Sequence, residues 1–300
     1  MSDHLYEQMS AALPGLRLLA GEPLAKHTSF RIGGPAQVLA CPGNEAELEA
    51  LLCWCRSACI CPRILGGGTN ILAPDAGLSG VVISTRGLDA ITQNEDGSIA
   101  AGAGVPLARL AMFAQKQGLT GLEFAHGIPG TVGGGMYMNA GAYQGELAQV
   151  AVSARFLSFA GEIRTLSASE LELGYRRSAF MTMEGVILSA KFRLNPGDPE
   201  AIFARMRELM ERRKASQPLD LPSAGSTFKR PATGYAAALI QEAGLKGFQI
   251  GGAAVSEKHS GFVVNLGGAS SADVLALMEA VRNRVREQSG VELEPEVRIW

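Results

Sequence analysis

The sequence predicts an α+β protein with more than one domain. Three observations lead to this prediction. The stretch 150–195 has the pattern of successive β-strands, helical patterns precede and follow it, and the composition changes at 195–199, where asparagine, glycine, aspartate and two prolines come together. The 300 residues can supply two or three modest hydrophobic cores. We therefore place a domain boundary after residue 198.

The first hundred residues alternate between helical and strand patterns. Residues 1–25 are predicted to form a short helix and a connecting loop. Asn44, with Glu47 three positions later, has the pattern of a capping box at the start of a helix. Further elements follow in order, namely a strand over 60–65, a strand over 81–83, a hairpin over 91–101 that turns at Asp96 and Gly97, and a helix over 106–118.

The rest of the chain first adds strands and then helices. The predicted strands cover 150–159, 163–166 and 186–194, and the predicted helices cover 200–214, 233–244 and 271–290, with a closing strand over 291–300. Thr233 and Ser271 are the predicted N-caps and Gly290 the predicted end of the last helix. Strand alternation would place Glu296 and Arg298 on one face.

Composition and charge exclude several classes of protein. Hydrophobic residues make up 47% and charged residues 19%, as in an ordinary globular protein. The net charge of −2 gives no reason to expect a nucleic-acid partner. The first residues lack the apolar core of a signal peptide, and no stretch approaches the ~18 apolar residues of a membrane span. We expect a cytoplasmic protein with no membrane partner.

The five cysteines lie close together in the sequence, between Cys41 and Cys61. An odd number in one short region does not suggest a disulfide framework, and the C-x-C spacing differs from the C-x-x-C of zinc sites. We expect reduced, packed thiols and no metal site.

Two glycine-rich stretches dominate the middle of the sequence, residues 65–70 and 121–145. Each glycine inside a helix costs roughly 1 kcal/mol relative to alanine, so this density predicts a non-helical segment. Glycine lets backbone N–H groups converge on a ligand, and a phosphate or diphosphate is the natural guest. The alternative is a buried glycine-rich turn in a β-structure. Neither a Walker A motif nor a Rossmann fingerprint is present.

Four polar positions could carry chemistry, and each also has a simple structural explanation. Arg176 could be a solvated strand-edge arginine, Ser226 a structural loop serine, His259 a surface histidine, and Glu296 one half of an ion pair with Arg298. Taken together, arginine and a carboxylic acid could stabilise charge on a substrate carboxylate, and a hydroxyl could deliver a proton to carbon. The remaining step would then belong to a bound cofactor.

Seven motifs extend the argument: FRIGG (30–34), LGGGTNIL (65–72), GLEFAHGIPGTVGGGMYMNAGAY (121–143), GYRRS (174–178), AGSTFK (224–229), LKGFQIGGA (245–253) and LEPEVR (293–298). In this order they closely resemble the UDP-N-acetylenolpyruvoylglucosamine reductase (MurB) family. The stretch between Arg176 and Ser226 is short, which resembles the branch of that family without an inserted tyrosine-bearing lid loop.

The resemblance implies a fold and its domains. It implies the FAD-binding fold of the vanillyl-alcohol-oxidase and p-cresol-methylhydroxylase type, with two α+β subdomains and a C-terminal α+β substrate domain. We expect the first FAD-binding subdomain over 1–64, the second over 65–198, the substrate domain over 199–290, and a C-terminal strand over 291–300 that returns the catalytic glutamate to the FAD site.

The resemblance also implies a reaction and its residues. NADPH would reduce non-covalently bound FAD, and flavin N5 would pass hydride to C3 of the enolpyruvyl group of a UDP-sugar in peptidoglycan precursor synthesis. Arg176 and Glu296 would stabilise the enolate-like intermediate, and Ser226 would protonate C2. The implied FAD contacts are Arg31, Gly66, Gly67, Gly68, Thr69, Asn70, Gly127, Ile128, Pro129, Gly130, Thr131, Gly133, Gly134, Asn139, Ala140 and Gly141. The implied substrate contacts are Tyr175, Lys229, Lys246 and His259.

The chain departs from the family pattern at Arg230, where an asparagine is usual after the lysine. His126 raises the alternative of covalent flavin attachment, which some relatives of the fold show, but the position looks variable in the motif and we expect non-covalent FAD. Two other functions stay open. One is an FAD-dependent alcohol oxidase on the same fold, and the other is a non-catalytic protein that binds flavin or a UDP-sugar. The combination of Arg176, Ser226 and Glu296 argues against both.

Overall fold

The computed structural model describes residues 2–300 and contains helices and short strands throughout. The α-helices are α1 Ser2–Ala12, α2 Glu45–Ser57, α3 Leu107–Lys116, α4 Val132–Met138, α5 Pro199–Ser216, α6 Ala236–Glu242 and α7 Ser271–Ser289. The strands are β1 Arg17–Pro23, β2 Pro35–Cys41, β3 Arg63–Leu65, β4 Ile71–Leu72, β5 Leu78–Ser84, β6 Ile91–Gln93, β7 Ile99–Gly102, β8 Leu119–Thr120, β9 Gly141–Ala142, β10 Gly145–Glu146, β11 Ala151–Ser158, β12 Ile163–Ser167, β13 Gly185–Phe192, β14 Asn195–Pro196, β15 Ser223–Ser226, β16 Gln249–Ile250, β17 Ala253–Val255, β18 Phe262–Asn265 and β19 Arg298–Ile299.

The chain divides into two compact units, each built from three segments. Unit 1 contains 1–21, 37–67 and 79–212, and unit 2 contains 22–36, 68–78 and 213–300. The chain therefore passes between the units several times. The finer division at 64/65, 198/199 and 290/291 stays a prediction.

Unit 1 contains two larger sheets around one core. One sheet has the order β1-β2-β5-β3, and the other has the antiparallel order β12-β11-β13-β7-β6. The strands β3 and β5 are parallel, so the chain that joins them must cross over. The predicted hairpin turning at Asp96 and Gly97 is confirmed by the pairing of β6 with β7, and the three strands predicted within 150–195 are confirmed as β11, β12 and β13.

Unit 2 contains a four-stranded antiparallel sheet with the order β15-β18-β17-β16. The helix α7 buries Val274, Leu277, Val281 and Val285 in the core of this unit, which matches the predicted apolar face. Gly290 ends α7 with φ +70°, a left-handed conformation that glycine adopts without steric cost. The short strand β19 pairs in parallel with β4, so the C-terminus joins the residues that follow the first glycine-rich stretch.

Several predicted boundaries are wrong, and each has a local cause. Residues 17–23 form β1 rather than a loop, because pairing with β2 overrides the glycine and proline there. The α7 cap is Ser270, whose side chain accepts a hydrogen bond from Asp273 N, so Ser271 is the first helical residue. The α6 cap is Tyr235 rather than Thr233, and it makes no side-chain capping bond.

The predicted capping box at α2 forms only in part. Asn44 Oδ1 accepts a hydrogen bond from Glu47 N at 2.9 Å, as expected. The Glu47 carboxylate instead accepts from Gly43 N at 2.8 Å and from the Asn44 side chain, one position away from the usual partner.

The closing strand is also shorter than predicted. Only Arg298–Ile299 is a strand, preceded by an isolated bridge at Pro295, and Glu296 is buried while Arg298 is exposed. The two residues therefore do not share one face of a regular strand.

The glycine-rich stretch gives the largest difference from the prediction, because α4 passes through Gly133, Gly134 and Gly135. A Cβ atom at Gly133 would lie 2.9 Å from the Ala103 Cβ, and one at Gly135 would lie 3.0 Å from a Leu147 methyl group. The helix is thus packed closely against its neighbours at both positions, and at Gly133 a larger residue would require its neighbour to shift. Tertiary packing outweighs the low helix propensity of glycine here.

Candidate active site

Ser226 and Glu296 lie on neighbouring segments of unit 2. Ser226 is the last residue of β15 and pairs with Phe262 of β18. Beyond it, Lys229 N donates to Glu294 O at 2.9 Å and Glu296 N donates to Thr227 O at 2.8 Å. The residue that follows Ser226 is therefore bonded directly to Glu296, and the structure brings these two predicted catalytic residues together.

A bulge in β15 fixes the position of Ser226. The register with β18 shifts between Ser223 and Ser226, and Gly225 has φ +78°. Thr227 closes the bulge, because its N–H donates to Gly261 O at 2.8 Å and its Oγ1 accepts from Val263 N at 2.9 Å. Thr227 is buried and was not predicted as a functional residue. Its position beside Ser226 was the only signal in the sequence.

Glu296 is buried, with 9% of its surface exposed. Its carbonyl accepts a hydrogen bond from the Asn70 side chain at 3.1 Å, and Arg298 N donates to Asn70 O at 2.9 Å. Asn70, predicted as a cofactor contact, thus also holds the backbone of Glu296. Because burial of a charged carboxylate is costly, a glutamate in this position is a candidate functional group.

Arg176 belongs to unit 1 and lies in a tight turn rather than on a strand. Gly174 and Arg177 exchange two backbone hydrogen bonds of 3.1 Å, and Tyr175 and Arg176 form the tip of the turn between them. Arg176 has φ +51°, a left-handed conformation that is uncommon outside glycine. No pattern in the sequence predicts this backbone conformation.

The two glycine-rich stretches meet inside unit 1 and form a cradle made of main chain, which we define as Gly66, Gly67, Gly130 and Thr131. A Cβ atom at Gly67 would lie 2.8 Å from Gly130 Cα, and one at Gly66 would lie 2.9 Å from Thr131 Oγ1. Thr131 is buried, and its hydroxyl has no hydrogen-bond partner among the described residues. A buried hydroxyl of this kind is completed by an acceptor such as a phosphate oxygen. The cradle therefore fits the diphosphate of FAD.

Replacement of Gly67 by alanine is expected to weaken FAD binding and to destabilise unit 1. The added methyl group would overlap Gly130, and overpacking of this kind costs about 1–3 kcal/mol. Equilibrium dialysis with FAD and the apoprotein's thermal unfolding would measure the two effects. Gly43→Ala is the control, because a Cβ atom there would come no closer than 3.6 Å to its nearest neighbour, Glu47 Oε2. Wild-type affinity for FAD in Gly67→Ala would contradict the assignment.

The remaining predicted cofactor residues occur in both units. Those in unit 1 that lie outside the cradle are Gly127, Ile128, Pro129, Gly133, Gly134, Asn139, Ala140 and Gly141. Those in unit 2 are Arg31, Gly68, Thr69 and Asn70. Gly68 has φ +68°, and a Cβ atom there would lie only 2.0 Å from His27 O, so this position requires glycine. Arg31 is exposed and has φ +56°.

Three predicted substrate residues lie in unit 2 and one in unit 1. Lys229 forms an ion pair with Glu294, and Lys246 is exposed in the turn between α6 and β16. Tyr175, in unit 1, is 54% exposed at the tip of the Arg176 turn. His259 packs edge-on against Phe262, the strand partner of Ser226, with the ring centroids 5.0 Å apart. His259 thus lies beside the segment that carries Ser226.

Burial lowers the pKa of His259, because the half-buried ring loses solvation in its charged form. The pKa of His259 is therefore lower in the folded state than in the unfolded state, where it is about 6.5. The resulting contribution to the free energy of unfolding is fully present at pH values above the unfolded-state pKa, and it is lost as the pH falls through the folded-state pKa. We expect wild-type Tm to fall more steeply between about pH 7 and 5 than that of His259→Gln. Thermal unfolding across this range tests the expectation. Parallel curves for the two proteins would contradict it.

The cysteines are reduced thiols, but fewer of them are packed than predicted. Cys55 is buried, whereas Cys53, Cys59 and Cys61 are exposed. Burial raises the pKa of the Cys55 thiol to about 11, with a smaller contribution from Cys61. Within residues 2–300 there is no group of three or more His, Cys, Asp or Glu side chains that could hold a metal ion. No helix of the same range is long and apolar enough to cross a membrane.

Comparisons with known proteins agree with the geometry. Residues 217–300 match the family model of the UDP-N-acetylenolpyruvoylglucosamine reductase C-terminal domain, and residues 36–167 match an FAD binding domain. A UDP-N-acetylenolpyruvoylglucosamine reductase of Levilactobacillus brevis is 45% identical over 97% of this chain and 95% of its own length. That of Caldanaerobacter subterraneus is 46% identical over 100% of this chain and 99% of its own length.

A solved structure gives the same result. The crystal structure of UDP-N-acetylenolpyruvylglucosamine reductase (MurB) from Thermus caldophilus superimposes with a TM-score of 0.80 at 34% identity, covering 95% of this chain and 98% of that protein. Together with the FAD binding domain, this confirms the predicted α+β FAD-binding fold.

Proposed function

Because this chain belongs to the UDP-N-acetylenolpyruvoylglucosamine reductase family, we propose that it reduces UDP-N-acetylglucosamine enolpyruvate to UDP-N-acetylmuramate with NADPH. The chain is an FAD-dependent oxidoreductase. One observation supports the proposed chemistry most directly. Ser226 lies close to the buried Glu296, because the main-chain N–H of Glu296 donates to the carbonyl of Thr227, the residue after Ser226.

Each proposed catalytic residue has one task. When bound, FAD would be held by the cradle of Gly66, Gly67, Gly130 and Thr131, and it would supply the hydride chemistry between NADPH and C3 of the enolpyruvyl group. The half-buried hydroxyl of Ser226 gives a proton to C2, so that the carbon–carbon double bond becomes a single bond with one hydrogen added at each end. The Arg176 guanidinium and the Glu296 carboxyl group stabilise the charge that develops on the substrate carboxylate.

The proposal places the UDP end of the substrate on cationic and polar side chains. Lys229 and Lys246 supply positive charge for the diphosphate, and Tyr175 and His259 supply hydrogen-bonding rings. Arg230, which stands where the family has asparagine, lies over the ring of Tyr235 with its guanidinium carbon 4.7 Å from the ring centroid. A stacked guanidinium remains able to bind an anion at its edge. Nucleotide sugars and NADPH are cytoplasmic metabolites, and we propose the cytoplasm as the site of the reaction.

Steady-state turnover tests the proposed function. With purified holoenzyme, NADPH consumption should require the enolpyruvyl UDP-sugar, and one product molecule should form for each NADPH oxidised. Mass spectrometry should show a product two hydrogen atoms heavier than the substrate. NADPH consumption that is independent of the UDP-sugar, or flavin reduction by an alcohol in place of NADPH, would contradict the proposal and favour an oxidase.

A further inference from the structure

The turn that carries Arg176 is attached to the end of α4 by two side chains. Asn139 Nδ2 donates a hydrogen bond to Gly174 O at 3.0 Å, and Ser178 Oγ donates to Tyr137 O at 2.7 Å. These two bonds hold the residues on either side of the turn. Both Asn139 and Ser178 are buried, with 1% and 3% of their surfaces exposed.

Both polar atoms of the Asn139 side-chain amide form hydrogen bonds within the protein. Its Nδ2 bonds to Gly174 O, and its Oδ1 accepts from Ala148 N at 2.9 Å. Asn139 also ends α4 with φ +44°, a left-handed conformation that asparagine tolerates better than most residues. The residue type is thus explained by the backbone conformation and by the two bonds together.

The turn itself requires outside support. Arg176 has φ +51° at the third position of the turn, where glycine or asparagine is the usual residue. An arginine in this conformation persists only when the surrounding structure imposes it. The ion pair between Arg177 and Glu172 is exposed, so it contributes little to holding the turn in this conformation. The bonds from Asn139 and Ser178 support the conformation from outside the turn, because they tie the residues on either side of Arg176 to the end of α4.

We propose that Asn139 and Ser178 are positioning residues that hold the Arg176 guanidinium in place by anchoring its turn to α4. The inference rests on the proposed function, because Arg176 acts there on the substrate carboxylate. It assigns Asn139 an action through Arg176 in place of the predicted contact with FAD. The second glycine-rich stretch, 121–145, would then have two roles. It would contribute to the cofactor region, and through Asn139 it would support the turn that carries Arg176.

Asn139→Asp is the sharpest variant for a test. Aspartate tolerates the left-handed conformation and keeps an acceptor for Ala148 N, but its ionised carboxylate has no proton to donate to Gly174 O. Ser178→Ala removes the second anchor independently, should Asn139→Asp fail to fold. Thr182→Ala is the matched control, since it removes a hydroxyl-to-carbonyl bond in the same region that reaches only Ala179 O.

The two half-reactions are measured separately with the FAD-loaded proteins. Reduction of the flavin by NADPH and the affinity for FAD should stay within about twofold of wild type in all three variants, because neither depends on Arg176. Reoxidation by the enolpyruvyl UDP-sugar should slow at least about tenfold in Asn139→Asp and in Ser178→Ala, as expected for a lost buried hydrogen bond. Thr182→Ala should reoxidise like wild type.

A double-mutant cycle separates positioning from a general structural role. In an Arg176→Ala background, Asn139→Asp should slow reoxidation by no more than about twofold, because the group that it positions is already absent. Multiplicative effects of the two substitutions, or loss of FAD from Asn139→Asp, would overturn the inference. If wild-type enzyme is itself not reoxidised by the UDP-sugar, the proposed function fails rather than the inference.

Discussion

Ser226→Ala is expected to abolish nearly all reoxidation of reduced flavin by the enolpyruvyl UDP-sugar while leaving flavin reduction by NADPH intact. The hydroxyl is the proposed proton donor to C2, and a positioned proton donor contributes roughly 10²–10⁴-fold to a rate. The backbone of β15, including the pairing of Ser226 with Phe262, does not depend on the hydroxyl. Anaerobic stopped-flow absorbance at the oxidised flavin band would follow each half-reaction.

Ser223→Ala is the control for this experiment. Ser223 lies in the same strand, and within residues 2–300 its hydroxyl forms one hydrogen bond, accepted from Gly225 N at 3.4 Å. Its half-reactions should resemble those of wild type. Equal reoxidation rates in Ser226→Ala and wild-type protein would exclude the proton-donor role for Ser226.

Glu296→Gln is expected to have the second largest effect, a decrease in the reoxidation rate of roughly 10²-fold, the size found when one electrostatic contact to a developing charge is removed. Glutamine has the same shape, and the main-chain bonds of residue 296 to Thr227 and Asn70 do not involve its side chain. The affinity for FAD and the rate of reduction by NADPH should therefore persist. Rapid-scanning spectroscopy of both half-reactions would measure the difference.

Glu292→Gln serves as the control for Glu296→Gln, because Glu292 lies on the same segment and forms an ion pair with Arg282 on the surface. It should turn over at the wild-type rate, since exposed ion pairs contribute little. A Glu296→Gln enzyme that matched this control in reoxidation would remove Glu296 from the mechanism.

The sequence predicted those parts of the fold that depend on local patterns. The alternation within 150–195 gave β11, β12 and β13, and Asp96 and Gly97 gave the hairpin, because turn chemistry and strand period act over a few residues. The helix through Gly133 to Gly135 was missed, because Gly133 packs against Ala103 and Gly135 against Leu147, which lie elsewhere in the chain. The passage of the chain between two units depends on such long-range contacts as well.

The candidate site was predictable in residue type but not in geometry. The motifs predicted Arg176, Ser226 and Glu296 as site residues. The structure adds the main-chain hydrogen bond from Glu296 to Thr227, which holds Glu296 close to Ser226. The roles of Thr227 and Asn139 in fixing the backbone were missed, since each depends on hydrogen bonds to residues distant in sequence or across a bulge. The left-handed conformation of Arg176 likewise has no signature in a single sequence.

In the proposed reaction, one flavin passes reducing equivalents from NADPH to the enolpyruvyl group. An anaerobic absorption spectrum of the holoenzyme tests it most directly, with one equivalent of NADPH added first and UDP-N-acetylglucosamine enolpyruvate second. We expect the oxidised flavin bands to bleach and then to return in full. Bands that bleach and stay bleached after addition of the UDP-sugar would contradict it.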